Sequence, residues 1–235
     1  MKILVAVLLV VSLIVLISML FSDKSKVGTF ASATVQSVIQ PTSLTTGNNG
    51  NSSNYSYSMW IYVDDWNYKY GKEKVILSRT DSTLKPSPVI SLGAFKNDLT
   101  VSVQTYPDSS SVTSQTNNCL VNNIPIQAWT NILVSVNGRV LDVYLDGKLV
   151  KTCVLPGVVK LAPSAPAYIT PEGGFAGYTS NIQFWNNSTS PQQAWDIYTK
   201  GYTGGGVASL FGLANKYAVK VAFYKNDVEA GSIKI

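Results

Sequence analysis

The sequence predicts an all-β protein: an antiparallel sandwich of two sheets with one short helix, preceded by a single N-terminal transmembrane helix. Three features lead to that expectation. Apolar residues recur at every second position in many short runs, and this period places alternate side chains on opposite sheet faces. Turn dipeptides separate the runs. The composition fits as well, with 13% charged and 46% hydrophobic residues and 13 Tyr and 5 Trp among 235 residues.

The strongest signal is residues 130–154, where β-runs are separated by Asn137-Gly138 and Asp146-Gly147. Both dipeptides accept positive φ at the two central positions of a type I′ turn, whose twist suits a hairpin. Ile132, Val134 and Val136 alternate with Leu133 and Ser135, and Leu141, Val143 and Leu145 alternate with Asp142 and Tyr144. An antiparallel meander with one buried side follows.

The other elements take their places around this meander. Thr34 to Gln40 is compatible with a first strand. In Tyr55 to Val63, Met59, Ile61 and Val63 point one way and Trp60 and Tyr62 the other. Further strands are expected at Val75–Arg79, Pro88–Leu92, Leu99–Tyr106, Cys119–Asn122, Tyr168–Thr170 and Tyr178–Trp185. Ser190-Pro191-Gln192-Gln193 is a capping box with proline at the first helical position, which predicts a helix over Pro191–Thr199 with Ala194, Ile197 and Tyr198 inward. Tyr217, Val219, Val221 and Phe223 alternate again, and Ile233 to Ile235 closes the chain as a strand. Trp60, Trp129 and Trp185 are expected in the core, with Trp195 plugging one end of the sandwich.

Residues 3 to 21 carry no charge, and Ser12 and Ser18 are their only polar side chains. About 20 apolar residues suffice for a helix to cross a ~30 Å hydrocarbon core. The apolar residues of this anchor are Ile3, Leu4, Val5, Leu8, Leu9, Leu13, Ile14, Leu16, Ile17, Leu20 and Phe21, together with the alanine, valines and methionine between them. A cleaved secretory signal would have a shorter apolar region with small residues close behind it, whereas here Asp23, Lys24 and Lys26 follow, so an uncleaved anchor over 1–22 is expected. Lys24 and Lys26 against Lys2 lean the C-terminal part towards the cytosol. Asn51, Asn54, Asn186 and Asn187 begin N-x-S/T triplets, which matter only in the opposite orientation. Residues 23–54, rich in Ser, Thr, Asn and Gly, read as a tether, leaving 55–235 as the folded domain.

The absence of histidine removes the commonest general base, the Ser-His and Cys-His nucleophile pairs and the usual zinc ligands. Cys119 and Cys153 are too few for a metal site and either bridge neighbouring strands or stay as two buried thiols. The net charge of +5 comes from scattered lysines without a basic run, so no nucleic-acid partner is expected.

Ser58-Met59-Trp60-Ile61-Tyr62-Val63, Trp129 opening a strand, Tyr144-Leu145-Asp146-Gly147-Lys148-Leu149-Val150, and Gly174-Phe175-Ala176-Gly177-Tyr178 with Ile182 resemble the laminin-G/concanavalin A-like jelly roll over roughly residues 55–201. The Asp65–Gly71 loop and the single span further resemble membrane-anchored jelly rolls encoded by nucleocytoplasmic large DNA viruses.

That fold hosts enzymes, lectins and adhesion modules, so residues must decide among them. Jelly-roll glucanases place paired carboxylates on one strand as Glu-x-Asp-x-Glu; here Glu73, Glu172 and Glu229 are isolated, and no enzyme is expected. For a lectin, Trp66, Tyr68 and Tyr70 beside Asp64 and Asp65 are the candidate exposed loop, although Asp64-Asp65 reads better as a solvated turn than as a Ca²⁺ site. The same aromatics suit a protein-contact anchor. A structural role needs only an anchor and a rigid module. The leading expectation is therefore a minor capsid component without cofactor that links a virion's internal membrane to its shell, with lipid bilayer and capsid proteins as partners. A membrane-anchored carbohydrate-binding protein is the alternative.

Overall fold

The computed structural model describes residues 25–44, 54–80, 85–107, 113–160, 164–203, 220–225 and 228–234. The predicted anchor over 1–22 and the low-complexity residues 45–53 lie outside them. Among the described residues, no helix is long and apolar enough to cross a membrane.

Alternation builds the core as expected. In β4 (Tyr55–Asp65), Tyr55, Tyr57, Met59, Ile61 and Val63 all enter the space between the sheets. Ile132, Val134 and Val136 of β9 (Trp129–Asn137) and Leu141 and Val143 of β10 (Val140–Leu145) join them there. From the facing sheet come Ile76 and Leu77 of β5 (Lys74–Arg79), Ile90 and Leu92 of β6 (Val89–Leu92), and Leu99, Val101 and Val103 of β7 (Leu99–Tyr106). Full burial of such a side chain is worth about 1.5–3 kcal/mol, so this inter-sheet layer is the main source of stability.

The remaining strands are β1 (Lys26–Gly28), β2 (Ala31–Ser32), β3 (Ser37–Ile39), β8 (Gln115–Val121), β11 (Lys148–Val154), β12 (Val158–Val159), β13 (Ala167–Ile169) and β14 (Ala176–Trp185). The first sheet runs β1-β14-β4-β9-β10-β11, with β2 also on β14. The second runs β12-β7-β6-β5-β13-β3, with β8 also on β7. Every pairing is antiparallel. Two sheets of this kind, packed face to face, form the sandwich that the patterning predicts.

The meander forms with one change at its first turn. Asp146 (φ 49°) and Gly147 (φ 74°) are both left-handed between paired Leu145 and Lys148, as a type I′ turn requires. Asn137, however, pairs directly with Val140, so the first turn centres on Gly138 and Arg139, and of the two only Gly138 has positive φ. The helix α1 (Pro191–Thr199) carries the full capping box, Ser190 Oγ accepting from Gln193 N while Gln193 Oε1 accepts from Ser190 N.

The sandwich extends further towards the N-terminus than the 55–235 expectation. Ser25 is already bonded to β14, its carbonyl accepting from Phe184 N at 2.9 Å and its hydroxyl from Gln183 Nε2 at 3.1 Å. Strands β1 and β2 lie on β14, and β3 lies on β13, so only part of 23–54 is available as a tether. At two or three residues each, these strands are too short for an alternation signal; pairing with β14 and β13 defines them. At the other end, the sandwich unit closes at Tyr202. A hairpin of β15 (Lys220–Lys225) and β16 (Val228–Lys234) belongs to a separate unit.

Cys119 and Cys153 are joined, with Cα atoms 6.0 Å apart, which settles the alternative the sequence leaves open. The bridge links β8 of one sheet to β11 of the other.

Candidate functional site

The loop after β4 divides between core and surface. Asp65 is engaged locally, its Oδ1 accepting from Asn67 N at 2.8 Å, which makes the acidic pair a turn device. Asp64 is exposed, and its carbonyl accepts from Gln127 Nε2. Trp66, expected as an exposed contact, is half-buried against the inter-sheet core. Tyr68 lies beside Gly173, and Lys69 Nζ donates to the carbonyl of Glu172, which fastens the loop to the turn before β14. Only Tyr70 stands out, 60% exposed and packed edge-on against the equally exposed Phe95 at 5.6 Å. Among the described residues, no group of His, Cys, Asp or Glu is placed to hold a metal ion.

Trp66 turns inward to cover Lys74. The Lys74 side chain is fully buried, its Nζ lies 4.4 Å from the Trp66 ring centre, and among the described residues that Nζ has no hydrogen-bond partner. Burial disfavours the ammonium and lowers its pKa from 10.5. Burying an unpaired neutral polar group costs about 1–3 kcal/mol and an ammonium considerably more, which exceeds the roughly 0.5–2 kcal/mol a ring contact returns. Lys74→Met is therefore expected to stabilise the fold by about 1 kcal/mol at neutral pH. The folded-state pKa is below the unfolded one, so the unfolded chain binds more protons and wild-type stability rises with pH across the interval ending near 10.5. Urea denaturation at a series of pH values is expected to show the advantage of the variant shrinking as pH rises.

A second site, marked by no motif in the sequence, is a groove of about 510 Å³ on the outer face of the second sheet. Ser78 of β5, Ser102 and Gln104 of β7, Thr116 of β8 and Tyr168 of β13 line it, with Glu73 and Glu172 also on its wall. Gln104 is held through its backbone N and Ser87 Oγ, and its Nε2 donates to Thr116 Oγ1 at 2.7 Å. Among the described residues its Oε1 is buried without a hydrogen-bond partner. Glu73 accepts from the Ser91 hydroxyl. Tertiary structure brings Glu73 and Glu172 into one groove, yet both residues stay open to solvent.

A third feature is a chain of aromatic rings on the outer face of the first sheet. Phe30 stacks on Tyr178 (5.2 Å, 21°), Trp129 on Tyr202 (4.8 Å, 1°) and Trp60 on Tyr198 (5.5 Å, 18°). Tyr62 contacts both Trp129 and Tyr178, and Trp195 leans on Tyr198. Three expectations change here. Trp60 is buried, but beneath α1 on the outer face; Trp129 lies in the same outer chain; and Trp195, expected to plug the sandwich, is 43% exposed. Period-two alternation assigns side chains to faces but does not say which face a helix will cover.

A two-sheet jelly roll with an aromatic outer face and a polar groove defines a concanavalin A-like, lectin-like domain. The chain belongs to the Laminin_G_3 family, of the concanavalin A-like lectin/glucanases superfamily, whose model matches residues 36–217. No curated protein matches the chain. Among solved structures it is similar to the botulinum neurotoxin serotype D ligand-binding domain in complex with N-acetylneuraminic acid, with TM-score 0.58, 12% identity, and coverage of 76% of this chain and 45% of that one. It is also similar to the receptor-binding domain of the botulinum neurotoxin C/D mosaic serotype, with TM-score 0.57, 10% identity, and coverage of 76% and 46%. The chain thus spans less than half the length of these proteins, and at such identities the likeness is one of fold.

Proposed function

We propose that the protein is a non-enzymatic structural component of a large DNA virus particle. Residues 3–21 fix it in the internal membrane, and its jelly roll contacts shell proteins. The observation that carries this reading is that the sandwich already includes Ser25, bonded to β14, so only residues 22–24 separate it in sequence from the uncharged stretch. So short a link in sequence suits a strut at a membrane–capsid interface better than a head on a long stalk. The likeness of the span, the jelly roll and the 65–71 loop to viral anchored jelly rolls supplies the particle.

Catalysis is not part of the proposal. A glycosidase's general acid needs a carboxyl shielded from water so that it stays protonated near neutral pH, and neither Glu73 nor Glu172 is buried. The Cys119–Cys153 bridge favours an oxidising setting, against the lean of Lys24 and Lys26 towards a reducing cytosol.

The sheet groove favours a second reading, a membrane-anchored carbohydrate-binding protein. Hydroxyl and amide edges beside Tyr168, the Gln104 amide among them, suit the hydroxyls and apolar face of a sugar. Particle fractionation separates the two readings. The protein is expected in purified particles beneath the shell, resistant to alkaline carbonate, and without signal on an array of sialylated and neutral glycans. Glycan binding that falls about 2–10-fold in Gln104→Leu, the loss of one neutral hydrogen bond, would replace the structural reading with the lectin one.

A further inference from the structure

We propose that Asn137-Gly138 is a self-modification site, where the side chain of Asn137 loses its amide nitrogen as ammonia, and that Asn54 holds this reaction back. The proposal goes beyond the structural role and needs only the folded sandwich.

The dipeptide carries the chemistry. The backbone nitrogen of Gly138 attacks Cγ of Asn137, so that a C–N bond forms, the Cγ–Nδ2 bond breaks, and the Gly138 N–H proton departs with Nδ2 as ammonia. Water then opens the cyclic imide at either carbonyl and leaves an aspartyl or an isoaspartyl link at position 137. Glycine after the asparagine favours the attack, since it has no Cβ to obstruct ring closure. A Cβ built at Gly138 would meet nothing within 4 Å, so the turn is also uncrowded. Asn137 is exposed to water, and among the described residues its carboxamide makes no hydrogen bond.

The fold opposes the attack twice. Asn137 is the last residue of β9 and pairs with Val140, which holds it extended. Ring closure needs the Gly138 nitrogen swung round to the side of the Asn137 Cβ, a rotation that breaks this pairing. The Gly138 N–H, in addition, donates to Asn54 Oδ1 at 2.7 Å. A hydrogen bond made by the protonated form opposes loss of the proton, and the attack requires that loss. Asn54 is 84 residues distant in sequence and is delivered by sheet register, because its neighbour Tyr55 faces Val136 across β4 and β9. The modification would not be silent. Either product adds a negative charge, and the isoaspartyl form lengthens the backbone between β9 and β10 beside the buried pair Val136 and Leu141.

The test incubates the full chain, purified in mild detergent, in warm and mildly alkaline buffer. Mass spectrometry of the peptide containing Asn137 and enzymatic methylation of isoaspartyl groups give the rate. Wild type is expected to react more slowly folded than unfolded in urea. Asn54→Ala, which removes one neutral hydrogen bond, is expected to react about 2–10-fold faster than folded wild type. Asn54→Asp keeps an oxygen that accepts from Gly138 N and is expected not to exceed wild type. Hydrogen exchange in Asn54→Ala is expected to quicken at the Gly138 amide and not along β9 and β10. Equal rates in folded and unfolded wild type, an Asn54→Ala rate no higher than wild type, or an Asn54→Asp rate equal to that of Asn54→Ala overturns the proposal. So does a faster Asn54→Ala rate with quickened exchange throughout β9 and β10, which assigns the effect to a loosened sheet.

Discussion

Gly177→Ala is expected to destabilise the sandwich by about 3–5 kcal/mol, combining backbone strain with a clash that cannot relax cheaply. Gly177 has φ +146°, and a Cβ built there would sit 1.9 Å from the carbonyl oxygen of Tyr62. That oxygen is backbone in β4, the strand that pairs with both β14 and β9 and cannot move aside without opening two ladders. The register slips between Ala176 and Gly177, so glycine permits a bulge at the point where β14 leaves the turn at Pro171–Gly173. The bulge also sets where the following residue, Tyr178, meets Phe30 and Tyr62. Urea denaturation followed by tryptophan emission measures the loss. A variant as stable as wild type would show that the β4–β14 contact yields, contrary to the packing described.

Breaking the Cys119–Cys153 bridge is expected to cost about 2–4 kcal/mol. The bridged residues are 34 apart, and closing a loop of that length removes about 12–13 cal/mol/K from the unfolded chain, or ~3.8 kcal/mol at 25 °C in the chain-entropy treatment. Packing adds little to this, since both sulfurs keep their surroundings in the reduced protein, Cys119 buried at the inter-sheet core and Cys153 at its margin. Wild type with reductant is expected to unfold at a lowered urea midpoint, and Cys119→Ala/Cys153→Ala at or somewhat below it, because alanine also removes the buried Cys119 sulfur. A reductant effect that persists in the double variant would show a different cause. Because β8 and β11 stand in different sheets, the same samples are expected to show faster hydrogen exchange in those two strands than in β4 and β9.

Much of the sandwich was legible because its signals are local. Met59, Ile61 and Val63 alternate with Trp60 and Tyr62 within one segment, and Asp146-Gly147 specifies its own turn. Ser190 and Gln193 cap a helix across three residues, where the partners are fixed by chain geometry. The candidate site was much less legible. Trp66 sits in a loop with no period to assign it a face, so its inward turn over Lys74 needed the facing strand. Tyr70 could be placed on the surface, but not against Phe95. Gln104 and Thr116 oppose each other only through the β7–β8 register, and Tyr168 joins them only after β13 has docked on β5.

The amino-acid sequence by itself determined that this chain forms short amphipathic strands, where its tight turns and its one capped helix lie, and that histidine chemistry is closed to it. Each of these follows from side chains and backbone preferences within a few residues. Tertiary structure decided that residues 26–32 complete the first sheet, that Cys119 meets Cys153, and that Phe30, Tyr62, Trp129, Tyr178 and Tyr202 share one outer face. Those outcomes depend on which strands become neighbours, and strand neighbours are chosen by the burial of the whole core rather than by any segment alone.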